Sequence, residues 1–315
     1  MLENLIFSLN ATIPLFLLMV IGYIMKRIGL LDEHSTGVIN KVVFRVFLPA
    51  LLFSDVSNQD FVTLWDTQFV LFCVVATLIS ILLAAVISKS DKKENRGEFI
   101  QASFRSAAAT LGIAFMTNVY DNVAMVALMI IGSVPIYNLI SVILLAVTSP
   151  ENENMDMKAL IRKAGKSIIT NPIILGIAVG LMWSVWRIPK PVIMDKSITY
   201  LANVASPLAL IGLGASFEIK DLKENLRSIV SINLCKLMLF CIIFLPIGIW
   251  MGYRDEKIVA LLIMLGSATT SSSFIMAKNM GHKGTISSAA VMTTTLFSAF
   301  TLTLWLFILR TFGII

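Results

Sequence analysis

Apolar segments of about twenty residues recur along the whole chain, and they constrain its fold more than any motif does. Ten can be marked, at 8–26, 36–54, 67–88, 99–118, 122–147, 171–188, 196–216, 227–250, 256–277 and 284–310. Each approaches the ~20 residues an α-helix needs to cross ~30 Å of hydrocarbon. Hydrocarbon offers no water to backbone N–H and C=O groups, so a spanning segment must close its hydrogen bonds on itself, as a helix does. The totals agree. The chain is 57% hydrophobic and 14% charged, with mean hydropathy +0.87; a soluble domain is roughly 45–50% apolar and about 25% charged. The sequence predicts an all-α integral membrane protein with ten transmembrane helices.

Charge sets the orientation. No basic residue precedes the first segment, and Lys26 and Arg27 follow it. That order reverses a signal peptide and predicts an outside N-terminus. Counting alternate loops from there, Lys and Arg collect inside, as at Lys89, Lys92, Lys93 and Arg96, and again at Lys158, Arg162, Lys163 and Lys166. The C-terminus is then outside too, in a multi-pass cell-membrane protein surrounded by lipid. The loop RIPKPVIMDK (187–196) breaks the bias and reads as a surface-lying turn. The net charge of +6 is thus a topology signal, and a nucleic-acid partner is not expected.

The loop at 149–166 is the one substantial linker. Met157, Leu160, Ile161 and Ala164 have helical spacing in it, which predicts a short amphipathic helix on the inner surface. The chain therefore divides into a first five-helix repeat (1–147), a linker (148–169) and a second five-helix repeat (170–315). An odd number of spans per half makes homologous halves inverted relative to each other. Internal similarity is faint but ordered. LPALLF (48–53) answers SPLALIGLG (206–214), and setting Tyr120 against Met280 brings Asn138 opposite Ser298.

Residues 267–273 read SATTSSS in the middle of the ninth apolar segment. A broken helix in a membrane frees backbone groups that need partners. Ser and Thr side chains bond nearby backbone groups and supply such partners. At ~100° per residue, five adjacent hydroxyls point all round a helix and cannot all face one packed neighbour. A break lining a watery site accounts for them. Close helix packing is the other use, with interhelical hydroxyl bonds of about 0.6 kcal/mol each. SAAATLG (106–112) in the fourth segment is similarly small, with Thr110 as its polar contact.

All Asp and Glu residues fall at segment ends or in loops, so no carboxylate is expected to relay protons or cage Na⁺ in the membrane. Lys236 differs. It lies about nine residues into the eighth segment, or roughly 14 Å, where a Lys costs ~2.5–3.5 kcal/mol unless it pairs or reaches water. An anionic substrate is one partner for it; snorkelling to the headgroups is the other solution. Arg105 is expected to snorkel, Lys41 and Arg45 to anchor at the surface, and His34 and His282 to be solvated. Cys73, Cys235 and Cys241 sit in apolar runs and suggest neither disulfide nor metal. The chain has no H-E-x-x-H, G-x-S-x-G or nucleotide loop, so no enzyme and no cofactor is expected.

NKVVFRVFLPALLFSDV (40–56), VPIYNLISV (134–142), NPIILGIAVGLMWS (171–184), PLALIGLGASF (207–217) and TTTLFSAFTL (293–302) resemble the auxin efflux carrier family, and the resemblance covers essentially the whole chain. It implies a 5+5 inverted repeat whose interrupted fourth and ninth helices cross near the midplane, and an organic carboxylate as substrate; the oligomeric state is not read from the sequence, although homodimers are common among the family's plant members. The family's FRSN…GxP pattern reads FRSAAATLGIA (104–114) here. Arg105 and Gly112 match it; Ala107 stands for the usual Asn, and Ala114 and Thr269 for the usual prolines.

The expected function is a secondary or potential-driven carrier of small organic anions such as malate-like dicarboxylates. Its substrate would lie at the crossing among Thr110, Gly112, Asn138, Thr269, Thr270, Ser271, Ser272, Lys236 and Ser298. Helix N-termini there would face a carboxylate. An inside-negative potential supplies ~2.3 kcal/mol per 100 mV for export of a monovalent anion. A sodium-coupled symporter of the bile-acid type and a non-transporting sensor of the same fold are the alternatives.

Overall fold

A computed structural model describes residues 2–58, 65–108, 116, 120, 124–149 and 157–315. The described residues form helices and no strand. Among them, seven helical stretches are long and apolar enough to cross a membrane.

The chain opens with α1 (Leu2–Arg27) and α2 (Glu33–Ser57). Asp32 caps α2 by accepting from the Ser35 amide at 2.7 Å. Asp66 does the same for α3 (Thr67–Ile87), accepting from the Phe69 amide at 3.0 Å. The short α4 (Arg96–Phe104) and long α5 (Ala124–Thr148) follow. In the linker, α6 (Met157–Thr170) packs on α5. The second half holds α7 (Pro172–Val185), capped by Asn171, then α8 (Val192–Ser216), α9 (Ile219–Glu224) and α10 (Leu226–Trp250). It ends with α11 (Asp255–Gly266), α12 (Ser271–Asn279) and α13 (Thr285–Thr311).

α1 packs against α8 and α13, α2 against α7 and α8, and α3 against α5. Glycines set the closest of these contacts. A Cβ on Gly22 would overlap the Ile211 carbonyl, and one on Gly214 the Met19 carbonyl. α1 and α8 therefore meet backbone to backbone, the packing that small residues permit in lipid. On α3, Leu71, Leu82 and Val86 face outward and exposed, as lipid-facing residues do.

The ninth apolar segment lies at the centre. The stretch Asp255–Asn279 has 89% of its apolar window buried, against 39% for Glu33–Ser57 and for Thr67–Ser90. It is also broken. Ser267 and Thr270 are extended (ψ 168° and 139°), which separates α11 from α12. In the fourth segment, α4 ends at Phe104, where Arg105 turns extended (φ −70°, ψ 141°). No proline sits at either break. Both α2 and α10 carry a π-helical turn, at Val43–Phe47 and Cys235–Leu239.

Candidate functional site

The two breaks are joined. The Ala107 amide donates to the Ala268 carbonyl at 2.8 Å, and the hydroxyls of Ser106 and Ser267 lie 3.0 Å apart. Helix ends leave their last carbonyls without intrahelical partners, and side chains from the opposite break fill that role here. Thr269 Oγ1 donates to Ala102 O at 2.7 Å, and Ser106 Oγ to Ile263 O at 3.3 Å. Gln101 Nε2 donates to Ser273 O at 2.8 Å. Part of the hydroxyl run is thus the backbone-satisfying device that a proline-free break needs.

Arg105 lies at the centre of the crossing and is 1% exposed. Its guanidinium donates to Ser272 Oγ (2.6 Å), Asn138 Oδ1 (2.9 Å) and Met276 Sδ (2.6 Å). Asn138 is oriented for this, since its own amide donates to Val134 O at 2.9 Å. The Arg105 Nε finds no partner among the described residues. Arg105 lines a cavity of about 50 Å³ together with Asp55, Tyr137, Asn138, Ser206 and the Thr270–Ser272 turn. A water needs roughly 10–15 Å³ of such space, so the cavity has room for a few waters. A second, of about 30 Å³, adjoins it through Ala107, Ser206, Thr270 and Ser271. A polar cavity of about 450 Å³ lies at the other end of α12, lined by Lys26, Asn40, Phe274, Lys278 and Lys283.

The crossing gathers five of the expected residues. Asn138, Thr270, Ser271 and Ser272 line the 50 Å³ cavity, and Thr269 lines its neighbour. Ser298 is buried but lines neither, with its hydroxyl on Thr295 O at 2.9 Å. Thr110 and Gly112 lie outside the described residues. Lys236 is wholly buried rather than snorkelling, and its ammonium sits 3.1 Å from both Met264 O and Leu265 O at the end of α11. It bonds a helix end, not the cavity that Arg105 lines.

Three other expectations are corrected. Arg105 does not snorkel, because its partners lie across the crossing on α5 and α12. Asp55 is a carboxylate inside the polar cavity, one residue beyond the bound set for the second segment; the helix runs on to Ser57. His282 is buried, with Nε2 2.9 Å from Leu145 O. The three cysteines are free and buried. No group of His, Cys, Asp and Glu among the described residues is placed to hold a metal ion.

A buried guanidinium with a spare donor, beside hydroxyls and a helix N-terminus, is chemistry for recognising an anion. The sequence matches the model of the family described as membrane transport protein over residues 7–306. The chain belongs to this family, the auxin efflux carrier family that its motifs resemble. A relative named "Putative malonate transporter", from Rhizobium meliloti (strain 1021), is 23% identical over 309 residues, covering 95% of this chain and 94% of its own. An "Uncharacterized transporter" of Methanothermobacter thermautotrophicus is 18% identical over 304 residues, covering 95% and 97%. The solved structure of the sodium proton antiporter MjNhaP1 from Methanocaldococcus jannaschii at pH 8 superposes with TM-score 0.65 at 14% identity, over 96% of this chain and 97% of that one. The fold is that of a multi-pass membrane transporter.

Proposed function

We propose that the protein carries small organic anions, mono- or dicarboxylates of malonate or malate size, across the cell membrane by alternating access. The substrate site is the helix crossing. The observation that carries this reading is the buried Arg105, which lines the polar cavity and keeps a donor without a partner among the described residues. Arg105 supplies the charge. Ser271 and Ser272 supply hydroxyls and the first amides of α12, and Asn138 holds the guanidinium in place. A relative named for malonate supports the substrate class.

In this reading the chain is a 5+5 inverted repeat of ten spans, 1–147 and 170–315 about the linker, with both termini outside. The 450 Å³ cavity is the inner vestibule of an inward-facing form, and the small cavities are the closed site above it. Substrate passes from one to the other when the bundle holding α4, α11 and α12 shifts against α1, α2, α7 and α8.

The test is flux of labelled malonate and malate into proteoliposomes under an imposed potential. Saturable, potential-dependent flux is expected in the wild type. Arg105→Met loses a charge-assisted contact, so KM rises ~10-fold or more, and Ser272→Ala raises it less. Unchanged flux in a folded Arg105→Met overturns the site. No flux for any carboxylate, under any gradient, overturns the carrier.

A further inference from the structure

We propose that Lys236 is a built-in counter-cation, filling at the end of α11 the place that a dissolved cation would otherwise take, so that the carrier runs without Na⁺ coupling. The second half of this statement rests on the carrier reading; the first does not.

The argument begins with the break at Ser267. It leaves the C-terminal end of α11 inside the protein and deep in the membrane. That end carries unsatisfied carbonyls and the negative pole of the helix. Hydrocarbon cannot solvate either, so something positive or donating must cover them. The Ser267 amide and Ser106 hydroxyl both reach Ile263 O. Met264 O and Leu265 O are taken by Lys236 Nζ at 3.1 Å each. In carriers with discontinuous helices, such carbonyls and half-helix C-termini are the groups that coordinate Na⁺ or H⁺ carriers. A tethered ammonium of similar charge here makes the dissolved ion redundant.

The local fold is built to deliver it. The π-turn Cys235–Leu239 adds a residue to one turn of α10 and buries Cys235, Lys236 and Leu237 together. No carboxylate bonds Lys236 among the described residues. Glu98 on α4 is spent on the Gly284 and Ser287 amides that begin α13, and Asp255 and Glu256 lie in the opposite, first turn of α11. The two buried cations therefore divide the work. Arg105 lines the cavity proposed for the substrate, and Lys236, which does not line it, bonds backbone carbonyls.

The test uses the full-length protein in detergent and in proteoliposomes, with Lys236→Ala and Lys236→Met. Thermal melting is read in choline chloride, NaCl, KCl and methylammonium chloride at equal ionic strength. Wild-type melting should be the same in all four salts. Both variants should melt lower in choline. Lys236→Ala should recover in methylammonium, NaCl or KCl, because a small cation can enter the space that the side chain leaves. Lys236→Met should not recover, since its side chain fills that space. Wild-type flux should agree within about twofold between choline and Na⁺.

Lys236→Met melting like the wild type in every salt overturns the proposal, as does a folded Lys236→Ala that no cation rescues. If Lys236→Ala does not fold, selective stabilisation of the wild type by Na⁺ overturns it equally, by revealing a separate ion site. Should the wild type carry no anion in any medium, the carrier reading fails and the melting comparison still decides the role of Lys236.

Discussion

Ala107 and Ala268, one from each helix break, share a backbone hydrogen bond of 2.8 Å. Two breaks 161 residues apart in sequence thus meet backbone to backbone. Around this contact, Thr269 and Ser106 hydroxyls bond carbonyls in the last turns of the opposite helices.

The first consequence concerns Thr269. Its hydroxyl is the cross-break donor to the Ala102 carbonyl. Thr269→Val keeps the shape and removes the donor, leaving a buried carbonyl short of a partner at a cost of ~1–3 kcal/mol. Thr77 is equally buried, but its hydroxyl bonds the Cys73 carbonyl of its own helix. The Cys73 carbonyl keeps its helical partner when that hydroxyl is removed, so Thr77→Val should cost about 0.5 kcal/mol or less. Thermal melting of the two purified variants checks the contrast; equal shifts would mean that the crossing bond carries no special weight.

At the opposite ends of α3 and α11 from the break region, Lys257 Nζ meets Asp66 Oδ2 at 2.6 Å. The bond from Lys257, then that from the Phe69 amide, holds the Asp66 carboxyl below its ordinary value. A depressed folded-state value stabilises the protein above the unfolded pKa of about 3.9, and that contribution is lost as pH falls through the folded value. The pair is partly exposed, so it adds about 1 kcal/mol or less, and the cap a further ~0.5–2 kcal/mol. Asp66→Ala should lower the melting temperature at pH 7, and its gap from the wild type should narrow steadily below pH ~4.

Much of this was legible in the sequence, for identifiable reasons. Hydropathy marks spans because lipid imposes it residue by residue, and the helices begin and end close to those marks. The break at 267–270 showed itself because five adjacent hydroxyls point all round a helix and cannot all face one packed neighbour. Arg105 was misread because its partners, Asn138 and Ser272, lie 33 and 167 residues away; position within one segment says nothing of them. Lys236 was misassigned for a related reason. Its partners are backbone carbonyls, which leave no signature in a sequence. Asp55 fell one residue beyond a drawn boundary, and only the continuation of α2 to Ser57 brings it into the cavity.

Topology gives a prediction independent of substrate. The native cysteines are buried and should react slowly, so single exposed replacements report sidedness. Lys92, Lys196 and Lys278 are exposed. With both termini outside, Lys92→Cys and Lys278→Cys should be labelled by a membrane-impermeant maleimide only after the inner face is opened. Lys196→Cys should react on intact cells. The reverse pattern would invert the whole topology and put the 450 Å³ cavity outside.

Asp55 carries the most consequential prediction. It shares a cavity of about 50 Å³ with Arg105, so a carboxylate substrate entering there meets the Arg105 cation and, whenever Asp55 is ionised, a negative charge as well. Two unit charges 5 Å apart repel by roughly 3 kcal/mol at an effective dielectric of 20. While Asp55 is ionised, that repulsion opposes what Arg105 offers, and an anion binds weakly. Neutralising Asp55 removes it. Asp55→Asn should therefore lower KM for malonate by about twofold at neutral pH and by more at alkaline pH, where Asp55 is ionised. The variant should also lose any fall of wild-type KM on acidification, because protonating Asp55 and amidating it remove the same charge. Labelled-malonate flux at several pH values reads both effects. A KM unchanged by Asp55→Asn would mean that the substrate does not approach Asp55, and the site would have to move to the neighbouring cavity between the break at Thr269 and Val291 of α13.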